Sequence, residues 1–99
     1  MPTVYFFHVG YVTSISPGAT HHVWWNNAPA QRVYAFSVDA MVSLTIPPQP
    51  GATAMVQITS VEYREIYNGS SFEKEVHVWI KNTGSITANY ALHMTQVKE

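Results

Sequence analysis

The sequence predicts an all-β domain, an antiparallel β-sandwich of about seven strands. Three observations predict it. Long stretches alternate with period two, β-branched and aromatic residues fill them, and turn residues interrupt them at short intervals. Ninety-nine residues are enough for one core without covalent staples, and the chain has no cysteine to supply any. Charged residues make up 11% of the chain, less than half the usual share of about 25%. Polarity therefore falls to Thr, Ser, Asn and Tyr, which suit a solvated sheet surface.

Thr3 to Val12 is aromatic and β-branched on both faces, with Tyr5, Phe7, Val9 and Tyr11 against Val4, Phe6 and Val12. Residues 3–15 read as one strand or two. A strand wet on one face should alternate, so this one is expected to be covered on both sides, by a second copy of the protein. Tyr5, Phe7 and Val9 are the candidate self-association residues, and a homo-oligomer is the expected state.

Ser16-Pro17-Gly18 signals a turn, and a strand over Thr20–Asn26 follows. Asn26-Asn27-Ala28-Pro29 is the next turn. From Arg32 to Leu44 the pattern places Tyr34, Phe36, Val38, Ala40 and Val42 in the core, with Ser37, Asp39 and Ser43 outside. Ile46-Pro47-Pro48-Gln49-Pro50-Gly51 cannot donate to a ladder at three positions, and reads as a stiff extended connector. It joins halves 1–45 and 52–99 of a single domain spanning 1–99.

The second half opens with a strand from about Thr53 to Tyr67. Asn68-Gly69 reads as a two-residue hairpin turn, setting Val61 opposite Val76, Tyr63 opposite Lys74 and Arg64 opposite Glu73. Upstream the alternation fails, and a bulge near Thr59–Val61 would repair it. A short helix at Val61–Tyr67 is the rival reading. Phe72–Lys81 puts Val76, Val78 and Ile80 inward and Glu73, Glu75, His77 and Trp79 outward. After a turn at Asn82-Thr83-Gly84-Ser85, Ile86–Val97 puts Ala88, Tyr90, Leu92 and Met94 inward, with Asn89, His93 and Thr95 outward.

The segment from Val76 to Tyr90, with its Lys81-Asn82-Thr83-Gly84 turn, resembles bacterial Ig-like adhesion domains of the CARDB type. In that family such strands come second and third, and Ile58–Tyr67 resembles the strand that opens the domain. Here they close the chain. The Ser16-Pro17-Gly18 turn, His22-Val23-Trp24-Trp25 and Val33 to Val42 resemble the family's later strands. The resemblance therefore implies a circularly permuted Ig-like sandwich, with residues 46–51 bridging what would be the family's termini.

Several chemistries lack their residues. The five basic and six acidic residues give a formal charge of −1 with no basic cluster, so nothing answers a nucleic-acid backbone. No apolar run is long enough to span a membrane. The N-terminus lacks a basic n-region and a cleavage site; the chain reads as cytoplasmic or as a piece of a larger extracellular protein. There is no G-x-S-x-G, HExxH or Gly-rich phosphate loop, and no catalytic residue, metal site or cofactor is expected. Ser37 and Asp39 share a strand face that a histidine could approach, but serines on strand surfaces are ordinary. Asn68-Gly69-Ser70 fits a glycosylation sequon and also the hairpin turn, which is the preferred reading.

The unusual run is His21-His22-Val23-Trp24-Trp25-Asn26. Alternation sends His21, Val23 and Trp25 inward, with Trp25 a core residue, and His22, Trp24 and Asn26 outward. An exposed indole beside an imidazole and an amide can stack on a sugar ring and bond its hydroxyls; interface packing is the commoner use. His77 and Trp79 form a second outward pair. These five are the candidate ligand-binding residues. A non-catalytic Ig-like interaction module with a protein partner is the first functional expectation, and a small lectin-like carbohydrate binder the alternative.

Overall fold

A computed structural model describes residues 3–26, 32–42 and 49–98. Six strands follow one another: β1 (Thr3–Ile15), β2 (Thr20–Asn26), β3 (Arg32–Val42), β4 (Val56–Tyr67), β5 (Phe72–Asn82) and β6 (Ala88–Lys98). They form two antiparallel three-stranded sheets, β1-β6-β3 and β2-β5-β4. The described chain is all-β, with six strands where about seven were expected. The difference lies in residues 3–15. They form one strand that bends at two irregularities, between His8 and Gly10 and between Val12 and Ile15, without dividing. At the second, Ser14 adopts φ 63° and its amide donates to Asn89 Oδ1 at 3.0 Å.

The core lies between the sheets. Ile15, Ala88, Tyr90 and Leu92 from the first meet Val56, Val78 and Ile80 from the second. Val23, Trp25, Phe36, Val38, Ala40 and Val61 pack around them, partly buried. The inward sets read from β3, β5 and β6 thus point as the period-two pattern requires, except that Val42, at the end of β3, is exposed and lies outside the core. Trp25 is a correction in degree: it faces inward and stacks on Phe36 at 5.5 Å, but is half-buried. The bulge at Val9 explains how β1 manages two apolar faces. Val9 and Val12 both pack against the core, and Tyr11 swings outward to 71% exposure.

The β4–β5 hairpin closes through four residues, not two. Asn68 Oδ1 accepts from the amides of Ser70 and Ser71 at 3.1 and 3.0 Å, and the Asn68 amide donates to the Ser71 carbonyl at 3.0 Å. An Asx-type capture of two amides holds the wider loop, with Gly69 at φ 100°. The register consequently moves by two residues: Tyr63 pairs with Val76, Arg64 with Glu75 and Glu65 with Lys74. A shift of two preserves which face each side chain takes. The expected bulge is present between Ile58 and Ser60, and Val61–Tyr67 is strand, so the helical alternative does not form.

Residues 53–55 precede β4 and bind the turn after β5. Thr83 N donates to Met55 O at 2.9 Å, Ser85 N to Thr53 O at 3.0 Å, and Thr53 N to Ser85 Oγ at 2.9 Å. Gly84 sits where a Cβ would collide with the Thr53 carbonyl oxygen and lie 2.7 Å from Met55 N. The Ser16–Ala19 turn forms as expected, with Gly18 at φ 82°. The first half of the proline connector, residues 46–48, and the turn residues after Asn26 lie outside the described residues. The described end of the connector is a turn at Gln49–Ala52, closed by Ala52 N to Gln49 O at 2.9 Å.

Candidate functional site

The two outward pairs read from the sequence are one cluster. β2 pairs with β5, so His22 stands opposite Trp79, Trp24 opposite His77 and Asn26 opposite Glu75. β4 lies on the other side of β5 and adds Glu62 beside His77 and Arg64 beside Glu75. The outer face of sheet β2-β5-β4 thus gathers all five candidate residues, from two groups more than fifty positions apart in the chain.

The rings form a stack. His22 lies 4.3 Å from Trp79 with planes 2° apart, and His77 lies 4.9 Å from His22 and 5.8 Å from Trp24. His77 faces outward as expected but is only 4% exposed, because its neighbours on both strands enclose it. Trp24 ends the stack and is 50% exposed. Arg64 reaches over Trp79, 5.9 Å from the ring centre, and is held there by Glu62 at 2.8 Å.

A hydrogen-bonded chain fixes the imidazoles. His77 Nε2 donates to Glu75 Oε1 at 2.7 Å. In the neutral ring this leaves Nδ1 as acceptor, and His22 Nε2 donates to it at 2.7 Å. A carboxylate orienting one imidazole, which orients a second, resembles the logic of a catalytic triad. The terminal member here is another imidazole beside an indole. What the chain does is fix the planes of His77 and His22; Trp24 lies against His77, and Asn26 follows it two residues along β2 on the same face. Among the described residues, no group of three His, Cys, Asp or Glu side chains is placed to hold a metal ion.

The opposite outer face, on β1-β6-β3, carries a second aromatic cluster that the alternation of Thr3–Val12 signals only in part. Phe6 stacks on His93 at 5.5 Å, and His8 lies 5.2 Å from His93 and 4.8 Å from Tyr11. Of the self-association candidates, Val9 packs on the core, Tyr5 is half-buried and Phe7 is 40% exposed, all three on the inner side of β1. The large apolar side chains projecting from its outer side are Val4, Phe6 and Tyr11, each at least 65% exposed. Ser37 and Asp39 lie on this same face. His93 pairs with Ser37 across the ladder, but no hydrogen bond joins them, and His93 Nδ1 is buried without a partner.

No protein-family model, no curated protein and no solved structure matches this chain.

Proposed function

We propose that the chain is a non-catalytic interaction module that associates with itself. One observation carries this reading: the outer side of β1 presents Val4, Phe6 and Tyr11 at 65%, 67% and 71% exposure. Large apolar side chains contiguous on one strand mark an interaction surface. Light scattering of the unmutated chain at micromolar concentration is expected to give a mass above 11.1 kDa. That monomer mass throughout the range would sink the reading.

We further propose an Ig-like architecture with permuted strand order. In Ig-type sandwiches strand B lies between A and E, and strand C between C′ and F. Assigning β4, β5 and β6 as A, B and C, and β1, β2 and β3 as C′, E and F, reproduces both neighbourhoods. Positions D and G have no counterpart among the described strands. Thr3 stands opposite Lys98 in the ladder, where the hairpin from C to C′ would run in the unpermuted order. A variant with Lys98 joined to Thr3 by an Asn-Gly turn, and with new termini between Pro48 and Gln49, is therefore expected to fold with the same strand pairs. Failure of that variant to fold would count against the assignment.

A second reading, carbohydrate binding, is favoured by Trp24 at the end of the ordered stack. A half-exposed indole stacked on His77 can stack on a pyranose, and Asn26, two residues along β2 on the same face, would bond its hydroxyls. Trp24→Ala should remove binding to a panel of immobilised neutral oligosaccharides. It should cost about 2 kcal/mol of stability, half the burial of a large apolar side chain plus one aromatic pair. A loss of roughly 3–5 kcal/mol, typical of a buried aromatic, with no change on the panel would leave this reading without support.

A further inference from the structure

We infer that the outer face of β1-β6-β3 packs against the same face of a second copy, about a twofold axis running along β6. The inference rests on the self-association reading and names its surface and its partner.

The face has two halves of opposite relief. On the β1 side, Phe6, His8 and Tyr11 form an aromatic ridge that leans over β6. On the β3 side, Ala35, Ser37 and Asp39 are small or short, and all three are exposed. Register ties the halves together row by row. Phe6 and Ala35 both pair with Thr95, His8 and Ser37 with His93, and Tyr11 and Asp39 with Ala91.

A twofold axis parallel to the strands exchanges the two sides while keeping each row at its height. It sets the ridge of each copy over the low half of its partner, as an isologous contact requires. Phe6 then lies over the partner's Ala35, where there is room for a phenyl ring. His8 meets the partner's Ser37, imidazole against hydroxyl. The Tyr11 hydroxyl donates to the partner's Asp39, the one formal charge among the described side chains in these rows. The opposite outer face, by contrast, carries five charged side chains, Glu62, Arg64, Glu73, Glu75 and Lys81, whose desolvation a self-contact would have to offset, with Glu73 and Glu75 together on its central strand. Three strands about 4.8 Å apart and eleven residues long present about 500 Å² in flat projection. Side-chain relief brings that toward the roughly 600–800 Å² per partner of a small stable interface.

The experiment uses two single variants, Phe6→Glu and Ala35→Arg, both at exposed sites, with folding checked by circular dichroism. The unmutated chain is expected to be a dimer, and each variant alone a monomer. An equimolar mixture of the two is expected to form a heterodimer. One of its two contacts is then F6E against A35R, an ion pair, and the other keeps the native Phe6 against Ala35. A general loss of stability would not produce that rescue. Two variants that both remain dimeric would overturn this surface while leaving self-association standing. An unmutated chain that is monomeric throughout would overturn both. Two monomeric variants whose mixture stays monomeric would overturn the ridge-to-floor pairing.

Discussion

Replacing Asn82 with Leu is expected to cost about 3–5 kcal/mol. Asn82 is fully buried. Its Nδ2 donates to Ile15 O at 2.8 Å and to Ile86 O at 2.9 Å, and its Oδ1 accepts from Gly84 N at 2.8 Å. The side chain therefore ties the end of β1 and the crossover from β5 to β6 to one point. Each bond contributes about 1 kcal/mol net, and the buried Ile15 carbonyl, left without this donor, adds about 1–3 kcal/mol, while Gly84 N keeps its bond to Met55 O at 3.2 Å. Leucine keeps the branched shape and the number of heavy atoms, is bulkier, and removes all three bonds. For a domain of this size the melting temperature should fall by about 15–30 °C. Asn82→Asp should be no better, since a carboxylate would face two carbonyl oxygens. A loss under about 1 kcal/mol in chemical denaturation would show that the crossover does not depend on this residue.

The second large effect is at Tyr90, the largest fully buried side chain among the described residues. It sits on the middle strand of its sheet, facing the other. Tyr90→Ala should cost roughly 3–5 kcal/mol from lost transfer energy and the cavity left behind. The hydroxyl contributes separately. It lies 3.0 Å from His21 Nδ1 and donates to it in the Nε2–H tautomer. Tyr90→Phe should cost only about 1 kcal/mol near neutral pH.

The two residues also differ in alkali. Burial raises the Tyr90 pKa above the ordinary 10.0, because the phenolate would be desolvated. Below about pH 10 the phenol is neutral in both folded and unfolded chains, and its contribution is complete. Above that the unfolded chain ionises first, so stability falls as pH rises toward and through the folded pKa. Tyr90→Phe should show a shallower alkaline decline than the unmutated protein. Parallel declines would show that Tyr90 has no part in it.

The strand faces were legible because a period of two needs only local sequence. The inward sets of β3, β5 and β6 follow from that alone, and the missed alternation before Val61 pointed to the bulge at Thr59. Partners were not legible, since period two assigns a face and never a neighbour. His22, Trp24 and Asn26 therefore read as one patch and His77 with Trp79 as another, until β2 and β5 came together. The enclosure of His77 follows from that pairing and could not be read from its own strand. The hairpin register erred by two because Asn-Gly specifies a tight turn only when the asparagine side chain does not capture the next amides. In β1, Gly10 was the available signal for a bulge, and reading it would have sent Tyr11 outward with Phe6.

The face assigned to self-association is most directly tested by isotope-filtered nuclear Overhauser spectroscopy on a mixture of labelled and unlabelled protein. Intermolecular cross-peaks are expected between the Phe6 ring and the Ala35 methyl group, and between the Tyr11 ring and the Asp39 β-protons. Intermolecular cross-peaks confined to Trp24 and Trp79 or to strand-edge amides, with none to Phe6 or Ala35, would contradict it.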